Sequence, residues 1–224
     1  MEKVKVDVRA CSKEHIKCPV CRGPHPANSE GGTIMRLLSL FFLFILLASS
    51  VNAKDIADVN VPDKITAEDG LTLHLNGAGI RSKLFFKIYI AELYVQHPTS
   101  DAAKLISDEG RKRMVMHFIY DELGKEKLVD AWNEGFQANT DQKQLSVLQG
   151  RISQFNSMFD TVKKGDEIIL DFIPEKGTKV TLRNEVKGVV PGKDFNDALL
   201  SIWLGKEPVT PELRKELLDY TGKQ

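Results

Sequence analysis

Three groups of residues have types and spacings that chemistry can use. The first is Arg81, which stands just before an apolar run from Leu84 to Leu93. A guanidinium cannot shed its proton, so a buried one needs an anion or several carbonyl oxygens beside it. Arg81 is therefore the leading candidate for a ligand-facing group. The plain alternative is a solvated arginine at a strand end. The second is His117, inside a strand-like stretch from Arg113 to Tyr120. No Ser, Cys or Asp stands at a spacing that completes a triad with it, so a partly buried histidine satisfied by a neighbour is expected. The third is Cys18-Pro19-Val20-Cys21, with Cys11, His15 and His25 nearby. One C-x-x-C is half a zinc site. No second pair follows, so no metal is assigned.

Residues 54–224 contain no phosphate loop, dinucleotide fingerprint, metal-ligand cluster or nucleophile elbow, and no cofactor is expected. What remains is the usual plan of a small-molecule site, an apolar cleft with a few polar groups.

Several elements must position these residues. Leu71, Leu73 and Leu75 alternate with Thr72, His74 and Asn76, the period of a strand with one wet face. Asn76-Gly77-Ala78-Gly79 then predicts a tight turn. Leu84, Phe86, Ile88 and Ile90 point one way, and Phe85, Lys87, Tyr89, Ala91 and Leu93 the other. A strand apolar on both faces belongs in the middle of a sheet. Met114, Met116, Phe118 and Tyr120 share one face of the next strand. Before all of these, residues 54–67 carry Pro62 and predict one short edge strand.

Ser100 is placed to cap a short helix over 101–107. Leu128, Trp132 and Phe136 mark a helix over 125–139. Leu145, Leu148, Ile152, Phe155, Phe159 and Val162 mark a longer one over 142–162. That stripe suits either a dimer seam or a helix lying across a sheet, and the second is favoured. Strands over 167–173, 178–182 and 186–190 predict an antiparallel meander. Asp194 is placed to cap a helix ending at Gly205, and Pro211 opens the last helix. Strands, helices, strands and helices again give an α+β fold with a mainly antiparallel sheet.

Charge is balanced, with 31 basic and 31 acidic side chains. This excludes an overall basic nucleic-acid reader and a polybasic membrane binder. Leu37 to Leu47 is an apolar run preceded by Arg36 and followed by Val51-Asn52-Ala53. These are the parts of a signal peptide, too short for a comfortable span, with a retained anchor as the alternative. Met35 stands immediately before Arg36, so residues 1–34 are read as an extension upstream of the true start and 35–53 as the signal. Residues 54–224 then form one exported domain, periplasmic or secreted, without a stable membrane anchor. It keeps 24 basic and 27 acidic side chains and none of the three cysteines.

The run Leu75-Asn76-Gly77-Ala78-Gly79-Ile80-Arg81, followed by Phe85-Phe86-Lys87-Ile88-Tyr89-Ile90-Ala91-Glu92-Leu93-Tyr94, resembles the opening strands of the chalcone isomerase-like family. It is closer to the bacterial secreted branch than to the plant enzymes. Pro191-Gly192-Lys193-Asp194-Phe195, Ala198-Leu199-Leu200 and Ile202-Trp203-Leu204-Gly205 resemble that branch's closing motif, so the likeness covers roughly residues 54–222.

The resemblance implies a large antiparallel sheet with helices layered on one side and a cleft between them. It implies that Arg81 and Tyr89 face the cleft. Leu84, Phe86, Met116 and Phe118 are then candidates for its walls, with Tyr120 beside them. Fatty-acid binding in non-catalytic members implies a small apolar ligand with an acidic head group. An intramolecular lyase closing a chalcone into a flavanone is the alternative. Tyr89 counts against it, since the plant enzymes carry a threonine there. A periplasmic interaction protein without a small ligand is the third reading. Oligomeric state is not legible.

Overall fold

The longest strand runs straight through the residues that predict a turn. In the computed structural model, which describes residues 53–220, β4 spans Thr72–Lys83 without a break at Asn76–Gly79. The described residues belong to one compact unit. The expected extension over 1–34 and the signal up to residue 52 lie outside the described residues.

The glycines of β4 serve close approach, not turning. The last helix, Pro211–Leu217, lies against this strand. A Cβ on Gly77 would run into the carbonyls of Glu216 and Leu217, and one on Gly79 into the Glu216 side chain. Asn76 sits at a shift of register between Leu75 and Gly77, the mark of a bulge. It is buried, and its Nδ2 donates to Leu217 O at 2.7 Å while its Oδ1 accepts from Thr99 N at 2.8 Å. The strand thereby satisfies a carbonyl that the helix end leaves without an internal partner.

The turn comes later, at Leu84 and Phe85, and leads into β5 (Phe86–Val95). The remaining strands of the main sheet are β3 (Lys64–Thr66), β6 (Lys112–Phe118), β9 (Glu167–Ile173), β10 (Gly177–Leu182) and β11 (Glu185–Val190). They lie in the order β11-β10-β9-β6-β5-β4-β3, and every neighbouring pair is antiparallel. The expected meander is β9, β10 and β11. The lead-in departs from the single edge strand expected. β1 (Ala53–Ile56) and β2 (Val59–Pro62) form their own hairpin, and only β3 joins the large sheet. Two short strands, β7 (Glu122–Leu123) and β8 (Val162–Lys163), pair separately.

Among the described residues five helices accompany the sheet: α1 (Ala102–Ser107), α2 (Lys125–Asn139), α3 (Gln142–Ser157), α4 (Lys193–Leu204) and α5 (Pro211–Leu217). The cap of α1 is Asp101, not Ser100; its carboxylate accepts from Ala103 N and Lys104 N. The cap position of α4 is Gly192, which frees Asp194 to hold Arg151 through two bonds of 2.6 Å. Helix α3 ends five residues before Val162. Phe159 and Val162 stay buried, but in the loop after α3 and in β8.

The helices cover one face of the sheet. Trp132 and Phe136 from α2, Phe155 from α3 and Trp203 from α4 meet edge to face there, with Phe195 of α4 tilted against Phe136 and Phe155, over Tyr89, Leu93, Met116, Phe118 and Leu170 of the sheet. Interlocked rings of this kind contribute about 1 kcal/mol per pair beyond their buried area. Stacking onto this face accounts for the stripe of α3. The other face carries a smaller cluster of Leu73, Tyr94 and Val115.

Candidate functional site

Arg81 lies near the end of β4, directly across the ladder from Tyr89 on β5. One step further the register shifts, because Ser82 pairs with Lys87 and leaves Ile88 as an extra residue. The Ile88 carbonyl accepts from both Ile119 N (3.0 Å) and Tyr120 N (3.1 Å). Such a bulge bends its strand and re-aims side chains. Ile88 and Tyr89 both join the core under the helices, and Phe86 comes round beside Ile88. Strict alternation puts Phe86 and Ile88 on the face opposite Tyr89; the bulge instead sets Ile88 in the same core as Tyr89.

The result is a slot of about 390 Å³ between the β4–β5 hairpin and α2. Its apolar walls are Leu84, Phe86, Ile88, Tyr120, Leu123 and Ala131. Arg81 stands at its inner end, and Lys83, Lys127, Asp130 and Glu134 add charge to the lining. A second, much smaller void of about 20 Å³ shares Arg81, Leu123 and Ala131 with the slot and is closed by Tyr89, Met116 and Trp132. That is room for roughly one water-sized group.

The polar groups around this inner void are unusual. Arg81 is half-buried and has no carboxylate partner among the described residues, and its Nε is buried without a hydrogen-bond acceptor. Its guanidinium carbon lies 5.6 Å from the centre of the Tyr89 ring. The Tyr89 hydroxyl accepts a hydrogen bond from Trp203 Nε1 at 3.0 Å, so its own proton is still to give. Burial pushes the Tyr89 phenol up, against a smaller opposing pull from Arg81, and keeps it in the donor form. Trp132 Nε1 is a further buried donor without an acceptor. Three residues that line one small space thus carry donors for which the described residues supply no anion. Buried donors without partners are rare enough to need an explanation.

Of the residues singled out from sequence, Arg81, Phe86 and Tyr120 line the slot, and Arg81, Tyr89 and Met116 line the inner void. Phe118 lines neither; its ring backs Tyr89 at 5.6 Å between centroids. Leu84 is at the slot mouth. Sequence reasoning missed Trp132 and Trp203, which come from helices far along the chain. Their only signal is a place on an apolar helical stripe, which core residues share.

His117 sits on the far face of the sheet, away from both spaces. Its Nε2 lies 2.8 Å from Glu92 Oε1 and its Nδ1 2.7 Å from Glu167 Oε1, so it is satisfied by neighbours, as expected.

No group of three or more metal-ligating side chains is present among the described residues. No helix among them is long and apolar enough to cross a membrane.

No curated protein matches the sequence. Among solved structures, a fatty-acid binding protein of Arabidopsis thaliana aligns with a TM-score of 0.52 at 14% identity, covering 70% of this chain and 96% of that one. At that identity the likeness speaks for the fold. The family model described as chalcone isomerase-like matches residues 53–219, which takes in every strand and helix described above. The chain therefore belongs to the chalcone isomerase-like family.

Proposed function

We propose that the protein binds a fatty acid or a similar apolar carboxylate without transforming it. The observation that carries this reading is the guanidinium of Arg81, uncompensated at the junction of an apolar slot and a small donor-lined void. A carboxylate there accepts from Arg81 and, through one oxygen, from the Tyr89 hydroxyl. Charge-assisted bonds of this type are the stronger class. The alkyl tail then runs outward past Ile88, Leu123 and Phe86, gaining about 0.8 kcal/mol per buried methylene. The fold likeness to a fatty-acid binding protein agrees with this, as does the volume of the open slot, which falls in the usual range for small-molecule sites. Export by the segment over 35–53 to the periplasm or the exterior belongs to the same proposal. N-terminal sequencing of protein recovered outside the cytoplasm tests it, and an uncleaved chain overturns it.

The binding test is a titration of palmitate into the protein in vesicle-free buffer, with native mass spectrometry for co-purified lipid. Arg81→Met is expected to weaken binding by at least tenfold, about 1.4 kcal/mol or more. Its thermal midpoint should be unchanged or higher, because a poorly compensated cation is removed. Unaltered affinity in a folded Arg81→Met protein removes the proposal. Conversion of a chalcone to a flavanone by the native protein replaces it with the isomerase reading.

A further inference from the structure

The β4–β5 turn breaks the usual rules for a two-residue hairpin loop. Lys83 pairs with Phe86, which leaves Leu84 and Phe85 as the loop. Loops of this length need positive φ and are ordinarily built from Asn, Asp or Gly. Leu84 holds φ at 55°, which a bulky side chain adopts only under strain. Packing gives little back at the two loop residues; the adjoining Phe86 meets Tyr120 edge to face, 5.7 Å between ring centroids. Leu84 is 86% exposed, Phe85 98% and the adjoining Phe86 56%. The other exposed large apolar residues described are the isolated Val147, Val186 and Val189. A local rule broken with little gain to the fold points to a use outside the fold.

We infer that this tip docks on the surface of a lipid bilayer with anionic headgroups. Charge selects that occupant. Lys83 and Lys87 flank the apolar triplet on both sides, are exposed, and make no ion pair among the described residues. An apolar point with a basic collar suits the boundary of a bilayer: rings and methyls enter the acyl region while ammonium groups stay at the phosphates. Lys127 adds a third exposed cation at the slot, on α2. Asp130 and Glu134, the acidic groups of the lining, also lie on α2, across the slot from the tip.

Position supplies the second argument, and it rests on the fatty-acid reading of the slot. Leu84 and Phe86 belong both to the exposed tip and to the slot wall. A docked tip therefore sets the slot mouth against the bilayer. A fatty acid passes between the two without its tail crossing bulk water. The balanced charge of the whole chain hides this local arrangement.

Phe85→Trp in the full chain tests the docking. The native Trp132 and Trp203 are 3% and 0% exposed and give a constant background. Vesicles of phosphatidylcholine and phosphatidylglycerol with brominated acyl chains are added. Because the probe reads position 85 alone, attachment elsewhere in the chain does not mimic the signal. Quenching and a blue shift of the new tryptophan, at least tenfold weaker against vesicles of phosphatidylcholine alone, are expected. A new tryptophan left unquenched while vesicles are in excess overturns the proposal. A blue shift that follows protein concentration without vesicles also overturns it, in favour of a second copy of the chain.

Phe85→Glu, which leaves both cavities intact, is expected to slow transfer of palmitate from vesicles at least tenfold. Affinity in vesicle-free buffer should not change. If native protein fails to bind palmitate in that buffer while the probe in Phe85→Trp is quenched, the cargo reading falls and the docking stands. If palmitate binds and the probe is not quenched, the reverse holds.

Discussion

On the sheet face turned away from the helices, cations are matched by carboxylates. Arg113 holds Asp171 through two bonds of 2.7 Å, and Lys179 reaches Glu68 at 2.6 Å and Asp171 at 3.7 Å. His117 lies between Glu92 and Glu167, and Tyr94 donates to Glu92 at 2.7 Å. Arg111 pairs with Asp69. On the helix-covered face the guanidinium of Arg81 makes no ion pair among the described residues and lies beside the Tyr89 ring. The same chemical group is a structural fastener on one side and an unfilled receptor on the other. The difference lies in what surrounds it: alternating charges on neighbouring strands in one case, and an apolar slot in the other.

The contrast breaks first at Asp171, which is 1% exposed and is shared by Arg113 and Lys179. Asp171→Ala leaves the half-buried Arg113 without its anion. Removing one partner of a buried pair costs about 3–5 kcal/mol. Urea denaturation should show that loss, while palmitate affinity per folded molecule stays the same. A loss below about 1 kcal/mol means that water reaches the far face freely and that the pairing there carries little.

The next effect is smaller and sits on the helix side. Tyr89→Phe removes the oxygen that accepts from Trp203 Nε1 and leaves that donor buried and unsatisfied. The expected cost is about 1–3 kcal/mol of stability. Affinity for palmitate should fall several-fold as well, because the same hydroxyl supplies a donor to the head group. Loss of stability with no loss of affinity would make Tyr89 a fastener like Arg113 and confine recognition to Arg81.

How far these faces were legible from sequence depends on the kind of signal. Helix α2 has the boundaries its stripe predicts, because Leu128, Trp132 and Phe136 recur at the spacing one helix face needs. The stripe of α3 overshoots. Phe159 and Val162 keep the spacing of buried residues after the backbone has stopped being helical, and periodicity records burial, not hydrogen bonding. Gly77 and Gly79 predict a turn, because a glycine needed for close approach looks the same in sequence as one needed for positive φ. The real turn at Leu84 and Phe85 has no turn residue to announce it. The bulge at Ile88, which decides the face that Phe86 joins, has none either. Arg81 and Tyr89 stood out by type, whereas Trp132 and Trp203 reach the site only through tertiary packing.

The smallest effect concerns pH and sharpens the comparison from the far face. Burial alone would lower the pKa of His117, but Glu92 and Glu167 outweigh it and hold the imidazolium above the ordinary histidine value. Tyr94 packs against the same carboxylate, with its phenol pushed up by burial and by Glu92, and so stays neutral throughout. A group whose folded pKa is raised binds more protons in the folded state than in the unfolded one. Its contribution is complete below about pH 6.5, the unfolded value, and is lost as pH rises through the folded value. The urea midpoint of the native protein should therefore fall as pH rises from about 6.5. His117→Gln should remove that slope and cost about 1 kcal/mol or less at the acid end. Arg81→Met should leave the slope untouched, because Arg81 lies on the other face and does not titrate in this range. A native midpoint that is flat or rises between about pH 6.5 and 7.5, below the value of about 8 to which burial lowers Lys112, would mean that Glu92 and Glu167 do not hold a charged imidazole. His117 would then sit in a hydrogen-bonded network, while the Arg113–Asp171 and Lys179–Glu68 pairs remain the matched charges of that face.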